Sequence, residues 1–171
     1  INSLYECGLP LEERAPHRRG RSLTVGRPPR TFPLIVQGPL MVNAFRRVGG
    51  WPRPGIEQGV LVTHDPPTPV RLRLWQQARI GVHGRPEWTF VKLSCHGMDP
   101  RDEPVMLGAA IQHFLRTLVE AARDGGDRLH FVTAREMVNI MLAACDGRAG
   151  NPGAYRDYRL RLPSRGFTGN R

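Results

Sequence analysis

The chain has 171 residues, of which 40% are hydrophobic, enough for one domain with a real core. Its formal charge is +10, and Lys92 is the sole lysine among 25 basic residues. No apolar run approaches the roughly 20 residues of a membrane-spanning helix. The three cysteines, Cys7, Cys95 and Cys145, suggest neither a disulfide framework nor a zinc motif and fit a reducing compartment such as the cytoplasm.

Residues 1–7 alternate Ile1, Ser3 and Tyr5 against Asn2, Leu4 and Glu6, which predicts a short strand. Residues 8–31 are rich in Pro, Gly and Arg and read as loop. Leu34-Ile35-Val36 predicts a buried strand that ends at Gln37-Gly38-Pro39. Residues 49–69 are again loop chemistry, and a loop of that length inside a domain is often functional. Trp51 in it is a candidate for stacking on a sugar ring or for covering the core; Glu57 and Asp65 are within reach of an active-site mouth but read by default as surface carboxylates, and the isolated His64-Asp65 pair is a weak signal for a metal.

Thr68-Pro69 predicts a helix start, with the hydroxyl as cap and the proline in the first turn. That helix runs to Ile80-Gly81. Trp88 to Cys95 then predicts a strand, in which Lys92, Ser94 and His96 share one face and Val91, Leu93 and Cys95 the other. On that reading the thiol of Cys95 diverges from His96 and packs between strand and helix, so a Cys/His nucleophile pair is not expected. Pro104 to Gly125 predicts the longest helix, with Leu107, Ala110, Ile111, Phe114, Leu115, Leu118 and Ala122 at helical spacing. Leu129 to Val132 predicts another strand, and Thr133 with Glu136 a capping box for a helix ended by Gly147. His113 and His130 have no partner at ligand spacing and read as structural. An extended Arg-rich tail is expected over 148–171.

Strands joined by crossover helices imply parallel pairing. Four strands at most, with both edges open, make an awkward isolated sheet. The chain is therefore expected to be part of a larger unit whose first half lies upstream of Ile1.

Phe90-Val91-Lys92-Leu93-Ser94-Cys95-His96-Gly97, with the long helix after it and then Phe131-Val132-Thr133-Ala134-Arg135-Glu136-Met137, resembles the closing segment of metal-dependent polysaccharide deacetylases. Arg85-Pro86-Glu87-Trp88, Gln37-Gly38-Pro39-Leu40 and Asn2-Ser3-Leu4-Tyr5 are similar to a bacterial branch of that superfamily. The resemblance touches most of residues 1–158, and its only chemically specific piece is the His96 segment. It implies an α/β fold, the C-terminal half of a distorted (β/α) TIM-like barrel over residues 1–147. It further implies a zinc-like divalent metal held by upstream residues, and a carbohydrate substrate whose N-acetyl group is hydrolysed. In that scheme His96 protonates the leaving amine and Leu93 walls the acetyl pocket, while Lys92, Ser94 and Trp51 are candidate substrate contacts. This sequence departs from the pattern in two places: Ser94 and Cys95 separate Leu93 from His96 where one residue is usual, and Ser94 replaces a histidine. The chain alone is expected to be inactive.

Other features point to two other functions. Ser94 and the altered spacing would suit a barrel that has lost catalysis and serves carbohydrate binding or polysaccharide assembly. The charge would suit a nucleic-acid-associated module: residues 14–30 hold six Arg and no acid, and residues 148–171 six Arg and one Asp, leaving −1 for everything else. Against it, no basic stripe is interleaved with aromatics, and an Arg bias of this kind also arises from high-GC coding.

Overall fold

A computed structural model describes residues 2–9, 20–48, 50–97 and 99–161. The loop expected over 8–31 and the tail expected over 148–171 lie partly outside those residues.

The predicted first strand forms as β1 (Ser3–Cys7), the centre of a three-stranded sheet of order β2-β1-β3 with β2 (Gly20–Ser22) and β3 (Leu34–Gln37). Both pairings are antiparallel, with Tyr5 opposite Ser22 on one side and Ile35 on the other. Glu6 anchors the connection between β2 and β3. Its buried carboxylate accepts the backbone N–H groups of Arg30 (2.5 Å) and Thr31 (3.0 Å) and pairs with Arg21. Asn2 closes the start of β1 onto Leu40, accepting its N–H at 2.7 Å and donating to its carbonyl at 3.0 Å.

The 49–69 region is more ordered than its composition predicts. β4 (Met41–Asn43) pairs antiparallel with β7 (Gly55–Glu57), and β5 (Arg47–Val48) with β6 (Trp51–Pro52). Helix α1 (Pro69–Gln77) begins as expected, with the Thr68 hydroxyl accepting Arg71 N–H and proline in the first turn. The expected long helix is two: α2 (Glu103–Leu107) and α3 (Ala109–Asp124), divided at Gly108, whose ψ of 175° is extended. The last helix, α4 (Ala134–Cys145), carries the expected reciprocal capping box between Thr133 and Glu136.

The half-barrel is not what this chain forms. Every pairing between the named strands is antiparallel, and the strands make small separate sheets with no closed barrel among the described residues. Parallel pairing occurs there only as isolated bridges, Thr24 with His83 and Val60 with Ser94. The physical reason lies in the two segments expected to be the parallel strands. Residues 88–95 and 129–132 form no strand, because a strand exists only where a neighbour takes up its backbone donors and acceptors. Phe90 N–H donates to Ile80 O (2.8 Å) and Ser94 N–H to Gly59 O (3.0 Å), isolated contacts rather than a ladder.

The core is built on α4. Ile140, Met141, Ala144 and Cys145 pack with Leu4, Leu23, Ile80, Val82, Trp88 and Phe90. A second cluster joins Leu61 and Trp75 to Ile111 and Phe114 of α3, with the Trp75 and Phe114 rings edge-on at 6.1 Å. After α4 the chain does not run off extended. Residues 152–155 form a turn of 3-10 helix, and buried Asn139 ties the backbone from Arg156 to Leu160 against α4. It donates to Arg156 O and Leu160 O, both at 2.7 Å, and accepts Arg159 and Leu160 N–H, as a neighbouring strand would.

Candidate functional site

The segment bearing the predicted site residues is positioned by a buried ion pair that sequence reasoning placed at the surface. Arg71 and Trp75 lie one helical turn apart, so both face inward from α1. Glu57, at the end of β7, meets them there. Arg71 Nε donates to Glu57 Oε2 (2.7 Å) and Nη2 to Oε1 (2.9 Å), a two-pronged pair with side chains 3% and 1% exposed. Trp75 Nε1 and Gly59 N–H also donate to Oε1, each at 2.8 Å. Burial alone would raise the Glu57 pKa, but the Arg71, Trp75 and Gly59 donors outweigh it and hold the carboxyl below its ordinary value. The spare guanidinium donors go to backbone carbonyls, Nη2 to Val60 O (2.6 Å) and Nη1 to Pro66 O (3.0 Å) and Asp65 O. One side chain thus gathers residues 57–66 into a fixed loop.

That loop holds the His96 segment. Leu61 N–H donates to Ser94 O at 2.8 Å, and Ser94 N–H to Gly59 O. Gly59 has φ +69°, and a β-carbon there would stand 3.0 Å from both Lys92 O and Pro39 Cδ, so the close approach requires glycine. Further on, the Thr63 N–H donates to buried Asp102 (2.9 Å), and the Asp99 N–H donates to His96 O (2.9 Å). His96 therefore stands between two anchored points, Ser94 and the turn at Asp99.

The placement of the predicted residues is mixed. Leu93, Ser94, Cys95 and His96 are exposed in succession, and Lys92 with them, so the expected alternation of faces fails. Trp88 and Phe90 point into the core instead, and they share the parity assigned to Lys92. Cys95 is not in a strand–helix interface. It lines, with His96, Asp99, Asp102 and Glu103, an open hollow of about 460 Å³. The His96 imidazole makes no hydrogen bond among the described residues. Lys92 is exposed and makes no ion pair there. Asp99 is held down to about 2, first by the Arg101 side chain and then by its N–H, with a smaller contribution from the charge on His96. Trp51 covers no core: at 79% exposed it projects from the β5–β6 hairpin, apart from the residues lining the His96 hollow.

A zinc-like metal does not fit the described residues, where no three His, Cys, Asp or Glu side chains converge as a ligand set. No described helix is long and apolar enough to cross a membrane. No family model matches the chain, and neither a curated protein nor a solved structure matches it. The Glu57–Arg71–Trp75 cluster escaped sequence reading because Glu57 lies among glycines in a loop-like stretch. The one available signal was Arg71 spaced four from Trp75 on the inward stripe of a well-capped helix.

Proposed function

We propose that this chain supplies part of the site of a carbohydrate N-acyl hydrolase of the deacetylase type, with His96 as the acid that protonates the leaving amine. Leu93, three residues earlier and exposed, is assigned the apolar wall against the acyl group, although it does not line the hollow beside His96. The observation that carries this reading is the placement of His96: an imidazole with no hydrogen bond among the described residues, beside an open hollow, on a segment pinned at Ser94 and Asp99. An imidazole suits proton donation near neutrality, and fixed flanking backbone gives it a defined position. The metal of such enzymes would be held by residues outside this chain.

The chain by itself is then expected to release no acetate from N-acetylated glucosamine oligomers. The product of the full natural reading frame, assayed with added zinc, is expected to release it. His96→Asn in that product should lower the rate by about a hundredfold or more. An undiminished rate in His96→Asn, or a full-length product that is inert with every divalent metal tried, overturns the reading.

A second reading, sugar binding without hydrolysis, is favoured by one specific observation. Trp51 presents an exposed indole of the kind that stacks on sugar rings, on a hairpin that does not line the His96 hollow. Saturable binding of the same oligomers, weakened by Trp51→Ala and accompanied by no acetate release, would support it over the first.

A further inference from the structure

A concave cleft lies away from His96, between α1 and α3, and has a volume of about 470 Å³. Its walls are two helical stripes at turn spacing, Leu72, Arg73 and Gln76 on α1 facing His113, Phe114 and Leu118 on α3. The size is that of a small-molecule site, and the floor is apolar with a few polar groups at the rim, as in such sites. Three observations give the rim a sign. No Asp or Glu lines the cleft. The Arg73 guanidinium, the Gln76 amide and the His113 imidazole have no hydrogen bond or ion pair among the described residues. The amino end of α1 opens at the same cleft, at Pro69, with no acid in its first turn to offset the positive helix end.

Several surface arginines of this chain are held by acids, and others, such as Arg79 and Arg116, are not. Arg101 takes Asp99 at 2.7 Å, Arg159 takes Asp146 at 2.7 Å and Arg135 takes Asp157 at 2.6 Å. Arg73 stands over an apolar floor with donors to spare. We propose that the α1–α3 cleft is a binding site for a small aliphatic carboxylate, the chain lying on Phe114, Leu72 and Leu118 and the head group taken by Arg73 with Gln76 and His113. The carboxylate matches a guanidinium fork, and the alkyl chain replaces water on a surface that is otherwise wet. The site is independent of the hydrolase reading, since none of its residues lines the His96 hollow.

The test is calorimetric titration of the full chain with octanoate and, separately, with octanol. Octanoate is expected to bind one site saturably, and octanol about tenfold more weakly or not measurably. Arg73→Gln should weaken octanoate by about tenfold and leave octanol unchanged. Ala121→Trp, which fills the cleft from an exposed helical position, should abolish both, and Ala110→Trp does the same from the other end should the first variant fail to fold. Equal affinity for acid and alcohol, indifference to Arg73→Gln, or octanoate binding that survives a filled cleft each overturns the proposal.

Discussion

Glu57 and Arg71 show how much one pair of side chains does for the candidate site. Each is buried, and each would be costly alone, since an unpaired charge in a desolvated position loses its hydration without compensation. Together they satisfy each other, Trp75 Nε1, the Gly59 N–H and three backbone carbonyls. Glu57→Ala is therefore expected to destabilise the fold by about 3–5 kcal/mol in urea melts, because it strands the guanidinium. Glu57→Leu combined with Arg71→Met should cost less than the sum of the two single changes, because each single change also strands the partner's charge. The pH dependence has a fixed sign. Glu57 and Glu6 both have folded pKa values below their ordinary 4.5, so the stability they contribute is fully present above that pH. It is lost as pH falls below 4.5 toward the depressed values. The gap between wild type and Glu57→Ala should shrink over that acid window, and a gap that stays constant would mean the carboxylate is not the group responsible.

Among the elements, those governed by local chemistry were legible in the sequence and those governed by pairing were not. Thr68-Pro69 and Thr133–Glu136 start helices because their side chains satisfy N–H groups within three residues, and both helices stand where those signals put them. β1 was legible in the alternation over 1–7, and β3 in the apolar run Leu34-Ile35-Val36 that ends at Gln37-Gly38-Pro39. The segments at 88–95 and 129–132 have equally apolar sequences, but a strand needs a neighbour and nothing within either segment says whether one is present. The break at Gly108 is a related case. Leu107, Ala110 and Ile111 keep helical spacing across it, so periodicity reads straight through. In the structure Leu107 is 71% exposed, and a β-carbon on Gly108 would come within 2.3 Å of Pro104 O. The capping box offers the direct check at this scale. Thr133→Ala removes the acceptor for Glu136 N–H and the hydroxyl partner of its carboxylate, and should cost about 1 kcal/mol in thermal or urea melts. Thr133→Ser should recover most of it. No loss in Thr133→Ala would assign the helix start to packing of α4 on the core instead.

For the whole molecule, the charge of +10 is the feature whose meaning changes most between sequence and structure. Read as a string, the two Arg-rich stretches look like solvated basic segments free to meet an anionic partner. Within the described part of those stretches several arginines are already engaged. Arg21 pairs with Glu6, Arg159 with Asp146 and Arg156 with Glu136, while Arg148 donates to the Tyr158 hydroxyl and lies over its ring. The stretch after α4 is thereby fastened to the helix by its own arginines. Charges held this way are partly neutralised and fixed in direction, so fewer of them can displace counterions from a phosphate backbone. Binding of the chain to a duplex of about 20 base pairs, monitored by anisotropy, is accordingly expected to be weak. The logarithm of its affinity should fall with the logarithm of salt on a slope of only about −2 to −3, roughly two or three phosphates' worth, with little binding left above about 150 mM. A slope steeper than about −6 would require roughly six or more arginines acting together on phosphate, and those intramolecular pairs would then have to open on binding. Asp146→Asn, compared with Asp124→Asn, separates the two cases. Both remove one negative charge, but only the first frees Arg159, so a chain whose pairs restrain it should gain more affinity at low salt from Asp146→Asn, and one whose pairs already open should gain equally from both.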